Sequence, residues 1–309
     1  MNDNKTRVMQ FVLITAATVW APSVTVGRSQ TANPLPADHP EITVHGRKFT
    51  PRTILARNMG TPEDQMAQFP PHKIIGNLYY VGTRTLSSFL VVTPQGNILI
   101  NSTYERNVPT IKKSVEQLGF KFSDVKILLG THAHSDHQEG DALVKQMTGA
   151  QTMAMAEDVP ALQAMTPGGK EHPIDKTLHD MDTVTLGGTT LTAHLTPGHT
   201  RGCTTWTMRA QEGDKTYNVV IGCSLRPPAT LTPEVIAEFL HSFPLVRSLA
   251  CDVPLGDHSA QYNMQEKYAK LQAGAGNPFI DPDGCTYEVD IEEAMFHALL
   301  DEQQKAVGH

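Results

Sequence analysis

Three histidines and one aspartate lie within His132-Ala133-His134-Ser135-Asp136-His137. Imidazole nitrogen and carboxylate oxygen are the donor types that suit zinc. The motif directly follows Val125 to Leu129, an apolar run that reads as a buried strand. Four ligands so closely spaced cannot all converge on one ion within regular secondary structure. At a strand end, where the chain turns into a helix, they can divide. His132 and His134 alternate onto one ion, while Asp136 and His137, on the turn, face a second ion nearby.

A site for two ions needs more donors. Leu195-Thr196-Pro197-Gly198-His199-Thr200 follows the alternating run Thr190 to Leu195, and its Pro-Gly turn presents His199 at a strand end. Leu255-Gly256-Asp257-His258 follows the apolar run ending at Val253-Pro254-Leu255 and presents His258 in the same way. Each ligand group thus sits just after a strand, as a site along one edge of a β-sheet requires. The remaining histidines have plainer readings. His194 lies in an alternating strand and reads as a packed or supporting residue. His179 lies in a turn beside Asp180. His39, His45, His72, His172, His241, His297 and His309 show no ligand-like partners.

The elements that must hold these residues alternate along the chain. Lys73 to Val81, Ser87 to Thr93 and Asn97 to Asn101 read as a β-meander. Val108 to Leu118 has apolar residues at helical spacing and stops at Gly119. The strand Val125 to Leu129 leads through the histidine motif into a helix over 137–147. Gln151 to Met155 is a strand and Glu157 to Met165 a short helix. The second half repeats the plan. Thr183 to Leu186, Thr190 to Leu195, Cys203 to Met208 and Tyr217 to Gly222 read as strands. A helix from Pro233 to about Leu249 is expected to be interrupted by Pro244. A strand from Ala250 to Leu255 and helices over 264–271 and 291–306 complete the chain. Two sheets covered by outer helices, with the site where the halves meet, is the natural assembly.

The 309 residues are 39% hydrophobic and 18% charged, ordinary globular composition with material for a large core. The net charge of −7 and the absence of a basic cluster argue against nucleic acid as a partner. Lys5 and Arg7 precede an apolar run, Phe11 to Ala21, and Thr25-Val26-Gly27 offers a small-residue cleavage site. Residues 1–27 therefore read as a secretory signal, the apolar run being too short for a bilayer span of about 20 residues. Residues 28–69 read as a lead-in, and 70–309 as the domain. Export implies an oxidising compartment, the periplasm, with no membrane association once the signal is cleaved.

Four cysteines allow three pairings. The runs that begin at Cys203 and end before Cys223 are joined by a short polar connection containing Gly213, which reads as a hairpin. That places Cys203 and Cys223 across a strand pair at the site end of the sheet. Cys251 and Cys285 would then close a loop of about 34 residues, stabilising by about 3–4 kcal/mol in the chain-entropy account. The competing role is Cys223 as a metal ligand.

These residues resemble the metallo-β-lactamase superfamily, and within it the secreted β-lactamases of the third subclass, whose ligands are His/His/His and Asp/His/His. The resemblance runs over about residues 70 to 305. It rests on Asn77-Leu78-Tyr79-Tyr80-Val81-Gly82-Thr83, on Gly96-Asn97-Ile98-Leu99-Ile100-Asn101 and on the histidine motif. It continues through Leu186-Gly187-Gly188, Leu195 to Trp206 and Asn277-Pro278-Phe279-Ile280-Asp281-Pro282. It implies an α/β fold, an αββα four-layer sandwich of two β-sheets flanked by helices, a monomeric enzyme, and two zinc ions. His132, His134 and His199 would hold one zinc, and Asp136, His137 and His258 the other. A zinc-bound hydroxide, oriented by Asp136 as a catalytic residue, would attack the β-lactam carbonyl of penicillins, cephalosporins or carbapenems and so confer antibiotic resistance. Ser224 and Arg226 would hold the substrate carboxylate, and the two cysteine pairings above fit the same pattern.

Many superfamily hydrolases carry a metal-bridging Asp at the end of the strand after His199. Here that strand ends Val220-Ile221-Gly222-Cys223-Ser224, with no carboxylate, which is the lactamase pattern. Two stretches are shorter than the pattern implies, Gly168-Gly169 to Asp175 and Arg226 to Thr232, on opposite lips of the site. The alternatives are a hydrolase of another ester, lactone or thioester on the same fold, and a non-catalytic zinc-binding protein. Six ligands for two ions leave coordination positions open, which favours catalysis.

Overall fold

The computed structural model describes residues 37–274 and 276–307. The signal-like segment 1–27 lies outside them. No helix among the described residues is long and apolar enough to cross a membrane. The strands β1 (Ile42–Val44) and β2 (Arg47–Phe49) pair as a hairpin, and α1 (Pro51–Met59) follows. Thr50 caps that helix by accepting from the Thr53 amide. Phe49 and Ile54 are buried against Ile291 and Met295 near the chain's other end. These residues fall in the stretch expected to be a lead-in. Their apolar side chains find a partner about 240 residues away, a contact no local pattern displays, so the folded body begins before residue 70.

The first sheet has seven strands in sequential order. They are β3 (His72–Ile75), β4 (Leu78–Tyr80), β5 (Phe89–Thr93), β6 (Gly96–Ile100), β7 (Val125–Leu129), β8 (Gln151–Met155) and β9 (Lys176–Leu178). Pairing is antiparallel up to β6 and parallel beyond it. Parallel neighbours need crossovers. α2 (Val108–Gln117) joins β6 to β7, α3 (Ser135–Gln138) and α4 (Asp141–Thr148) join β7 to β8, and α5 (Val159–Ala164) precedes β9. The run Lys73 to Val81 is two strands rather than one. It turns at Gly76, whose φ of +53° and close approach to Gln211 O, 2.8 Å from where a Cβ would lie, admit only glycine. The helix expected over 137–147 is likewise in two pieces. The Gly140 amide turns away to the Thr103 carbonyl, which separates α3 from α4.

The second sheet has five strands: β10 (Thr183–Leu186), β11 (Thr189–Leu195), β12 (Thr204–Glu212), β13 (Lys215–Gly222) and β14 (Val253–Gly256). β12 and β13 form the expected hairpin, and β14 returns parallel to β13 through α6 (Pro233–Ser248). Pro244 lies inside α6 without ending it. Phe239 and Phe243, before the proline, pack on Phe296, and Val246, beyond it, packs on the same cluster, so both sides of Pro244 are held against the protein. α7 (Met264–Gln272) and α8 (Tyr287–Val307) finish the chain.

Alternation along the strands builds the layers. Phe89 and Val91 of β5, Ile98 and Ile100 of β6, and Ile127 and Leu129 of β7 point into a core shared with Leu191, Trp206, Met208, Val219, Ile221, Val253 and Leu255 of the second sheet. The intervening Leu90, Leu99 and Leu128 face outward onto Val108, Ile111, Val115 and Val144 of the first helical layer. Leu225, Phe239, Phe243, Val289 and Phe296 form a further apolar cluster of α6, α8 and the loop after β13. The architecture is the expected αββα sandwich.

Candidate metal centre

The loops with the candidate ligands leave three strands at one edge of the sandwich. Residues 132–137 follow β7, His199 follows β11 and His258 follows β14. The Thr204 amide donates to the Thr131 carbonyl at 2.7 Å and so ties the second sheet to the first motif. Asn101, at φ +64°, turns its side-chain oxygen to the Thr131 amide at 2.9 Å. Thr103, at φ +57°, donates its amide to the His137 carbonyl at 2.9 Å. A β-branched residue in the left-handed region is strained, and this one sits where it steadies a ligand turn. Gly130 has no room for a side chain, because the Gln138 carboxamide would lie 2.1 Å from its Cβ.

Among the groups of three donors that result, two together contain the six expected ligands. In His132, His134 and His199, and again in Asp136, His137 and His258, the ligand atoms all lie within 4.8 Å of one another. The rings of His132, His134 and His199 are 4.7 to 4.8 Å apart between centroids. Asp136 Oδ2 is 3.3 Å from His137 Nε2 and 3.7 Å from His258 Nε2. His132 Nε2, both nitrogens of His137 and His258 Nδ1 are buried with no hydrogen-bond partner. Buried polar atoms are almost always satisfied, so a cluster of unpartnered nitrogens fits an electrophile bound among them. His199 Nδ1 lies 2.8 Å from the Arg226 carbonyl, so it carries the proton and leaves Nε2 bare. The donor set, mostly imidazole with one carboxylate, fits zinc.

The protonation states agree with that fit. Burial drives the His132 imidazole down to about 3 and that of His258 to about 4, and it holds His134 and His199 below the ordinary range. Neutral rings with free lone pairs are what a metal ion requires. Burial works against the Asp136 carboxylate, but His137, His258 and His132 around it hold its pKa well below the usual value. His137 differs: burial lowers it, yet the Asp136 and Asp257 carboxylates raise it overall.

Of the residues expected to touch substrate, Arg226 is half-buried, and its charge is felt by His134, His199 and His258. No hydrogen bond or ion pair of its guanidinium is found among the described residues. Ser224 is only 2% exposed, and its amide donates to Asp257 Oδ2 at 2.8 Å. It therefore offers a substrate almost no area. A cavity of about 770 Å³, lined among others by Arg106, Glu139 and Thr166, reaches the histidine motif at Ser135 and is lined by none of the six candidate ligands.

The cysteines form two disulfides, Cys203–Cys223 and Cys251–Cys285, and none is free. Cys223 is therefore not a thiolate ligand, although its sulfur lies 3.5 Å from His132 Nδ1. His194 pairs with Thr207 on the neighbouring strand at 2.8 Å and is no ligand. His172 lies 3.1 Å from the buried carboxylate of Asp141, which also accepts from Ser102 Oγ, and joins no group of three donors among the described residues.

Sequence reasoning missed two carboxylates. Asp158, 3% exposed, accepts from the Ala133 amide at 2.8 Å, Thr200 Oγ1 at 2.9 Å and the Gly202 amide at 2.7 Å. It thus clamps the His132–His134 loop to the His199 loop. Its one signal was position, just after β8, where the ligands follow their own strands. Asp257 lies beside His132 and was passed over as the neighbour of His258.

A family model described as the Metallo-beta-lactamase superfamily matches residues 81–211. The metallo-β-lactamase FEZ-1 of Legionella gormanii is similar at 46% identity and a TM-score of 0.74, covering 77% of this chain and 98% of that one. BJP-1 of Bradyrhizobium japonicum, a subclass B3 metallo-β-lactamase, is similar at 34% identity and a TM-score of 0.73, covering 79% and 98%. A hydroxyacylglutathione hydrolase of Methylobacterium nodulans is 27% identical over 157 residues, and the chain spans only 52% of its length. Nearly the full length of FEZ-1 and of BJP-1 is matched above 30% identity, and the chain belongs to the metallo-β-lactamase superfamily.

Proposed function

We propose that this protein hydrolyses the β-lactam amide bond with two zinc ions, one held by His132, His134 and His199 and one by Asp136, His137 and His258. The observation that carries the reading is the pair of donor triads at one sheet edge in a chain 46% identical to a metallo-β-lactamase. Zinc bound there supplies water of lowered pKa as nucleophile and an electrophile for the carbonyl oxygen. Asp136, kept ionised among histidines, would hold that zinc through Oδ2, the oxygen facing His137 and His258, and leave its second oxygen to orient the water. Arg226 binds the carboxylate common to lactam antibiotics, with Ser224 behind it contributing less because it is buried. No serine or cysteine nucleophile is required, and all four cysteines are committed to disulfides.

The second reading is hydrolysis of a thioester or another ester, favoured by the partial match to a hydroxyacylglutathione hydrolase. Against it stands the end of β13, Gly222-Cys223-Ser224, which has no carboxylate of its own to bridge two ions. Residues 1–27 act as an export signal, and the mature enzyme works in the periplasm, where its disulfides form. The test is a kinetic panel of a penicillin, a cephalosporin and a carbapenem beside a lactone and a glutathione thioester, with zinc analysis of the same preparation. Lactam turnover that a strong chelator abolishes and zinc restores is expected. Turnover of the thioester alone would transfer the assignment to the second reading.

A further inference from the structure

We propose that Asp257 is a positioning residue for the first triad: its carboxylate accepts the Nδ1–H of His132 and so holds Nε2 of that ring bare and aimed at the metal. The inference rests on the proposed zinc centre and deepens it, since no part of that reading requires Asp257.

The surroundings of His132 Nδ1 carry the argument. Asp257 Oδ2 lies 3.3 Å away, and both side chains are fully buried. Thr131 Oγ1 lies 3.2 Å away and equally 3.2 Å from Asn101 Oδ1, so its single proton has a second acceptor and it can receive from the ring. The third neighbour, Cys223 Sγ at 3.5 Å, belongs to a disulfide and has no proton to give. A bare Nδ1 would set its lone pair against the buried Asp257 carboxylate. The proton of the neutral ring must therefore reside on Nδ1, and the unpartnered Nε2 carries the lone pair.

Topology explains where the carboxylate comes from. β13 ends without one. Its parallel neighbour β14 is in register with it, Gly222 opposite Gly256, and the next residue along β14 is Asp257. The acid reaches the strand end from one strand over, steadied by the Ser224 amide at 2.8 Å, while its Oδ1 stays without a partner. A carboxylate on the far nitrogen of a ligating histidine fixes the tautomer and raises ligand basicity, and its loss weakens metal binding by about 10–100-fold. Asp257 also falls within 4.8 Å of donor atoms of His132 and His137. Direct ligation is thus the alternative that the test must separate.

The test titrates zinc into the metal-free full chain in competition with a chromogenic chelator, for the wild type and for Asp257→Asn. The asparagine keeps an oxygen for the Ser224 amide and loses the charge. The expected result is one zinc affinity weakened about 10–100-fold, the other changed less than about threefold, and an unchanged zinc number at saturation. Two unchanged affinities would show that Asp257 only anchors the Ser224 loop, and loss of one zinc at saturation would make it a ligand. Either overturns the proposal. A second measurement needs no Asp257 variant. Long-range ¹H–¹⁵N spectra of the metal-free wild type, assigned by the signals missing in His132→Gln, should show His132 protonated at Nδ1. A proton on Nε2 overturns the proposal. Neither arm reads lactam turnover, so a chain that binds zinc yet cleaves no lactam would defeat the functional reading and leave this one standing.

Discussion

The buried histidines of the sheet edge invite comparison with His72, buried just as deeply in the core. His72 is 6% exposed and sits among the rings of Phe69, Tyr80, Tyr268 and Phe279, with centroids 4.7 to 6.0 Å away. Burial lowers its pKa to about 4, the same direction and cause as for His132 and His258. Its Nδ1 lies 2.8 Å from the Pro70 carbonyl, and its Nε2 has no partner. By burial, acidity and an orphaned nitrogen, His72 looks like a ligand. What it lacks is company, since its neighbours are aromatic faces rather than donor atoms. A lowered pKa therefore does not mark a metal centre. Convergence of several donors from different loops does.

Replacing a residue from each region gives the largest contrast. His199→Ala should lower kcat/KM for a lactam on the order of 10³-fold and remove one zinc, the scale of losing a principal electrostatic contact to the reacting centre. His72→Phe should keep both zinc ions and change kcat/KM by less than about twofold. Metal analysis beside steady-state kinetics checks both, and zinc loss from His72→Phe would break the comparison.

The disulfides extend it to the scaffold. Serine pairs at Cys203 and Cys223 or at Cys251 and Cys285 remove closed loops with sequence separations of 20 and 34. Each should cost about 3–4 kcal/mol in urea denaturation. Only the first pair, whose Cys223 sulfur lies 3.5 Å from His132, should also weaken zinc binding.

His72 should impose a pH dependence on stability. Unfolded, it takes up a proton near its ordinary value of 6.5; folded, only near 4. Between those values the unfolded chain binds more protons. The contribution is therefore complete above pH 6.5 and is lost as pH falls to 4, amounting to about 3 kcal/mol. Denaturation of His72→Phe across this window should show a shallower acid loss than wild type, and parallel curves would show that His72 is not the group responsible.

The smallest effect concerns binding at the rim. Arg226→Ala should raise KM severalfold for carboxylate-bearing lactams, about 1 kcal/mol, with kcat nearly unchanged. An unchanged KM would place its charge outside the substrate's reach.

Much of the centre was legible in the sequence because its signals are local. His132, His134, Asp136 and His137 share one turn, and a turn after an apolar run is readable from a few residues. His199 and His258 repeat that pattern, and period-two alternation distinguishes the two faces of β5, β6 and β7. The hairpin of β12 and β13 brings Cys203 to Cys223 by adjacency alone. Other features were decided only by tertiary structure. Phe49 and Ile54 read as lead-in until α8 covers them, and Pro244 reads as a break until one apolar cluster takes up Phe243 before it and Val246 after it. Asp158 and Asp257 each stand as an ordinary acid in the sequence, with no spacing that marks them. Their roles follow from which strand lies beside which, and hydrogen-bond partners from separate loops are set by that strand order rather than by local pattern.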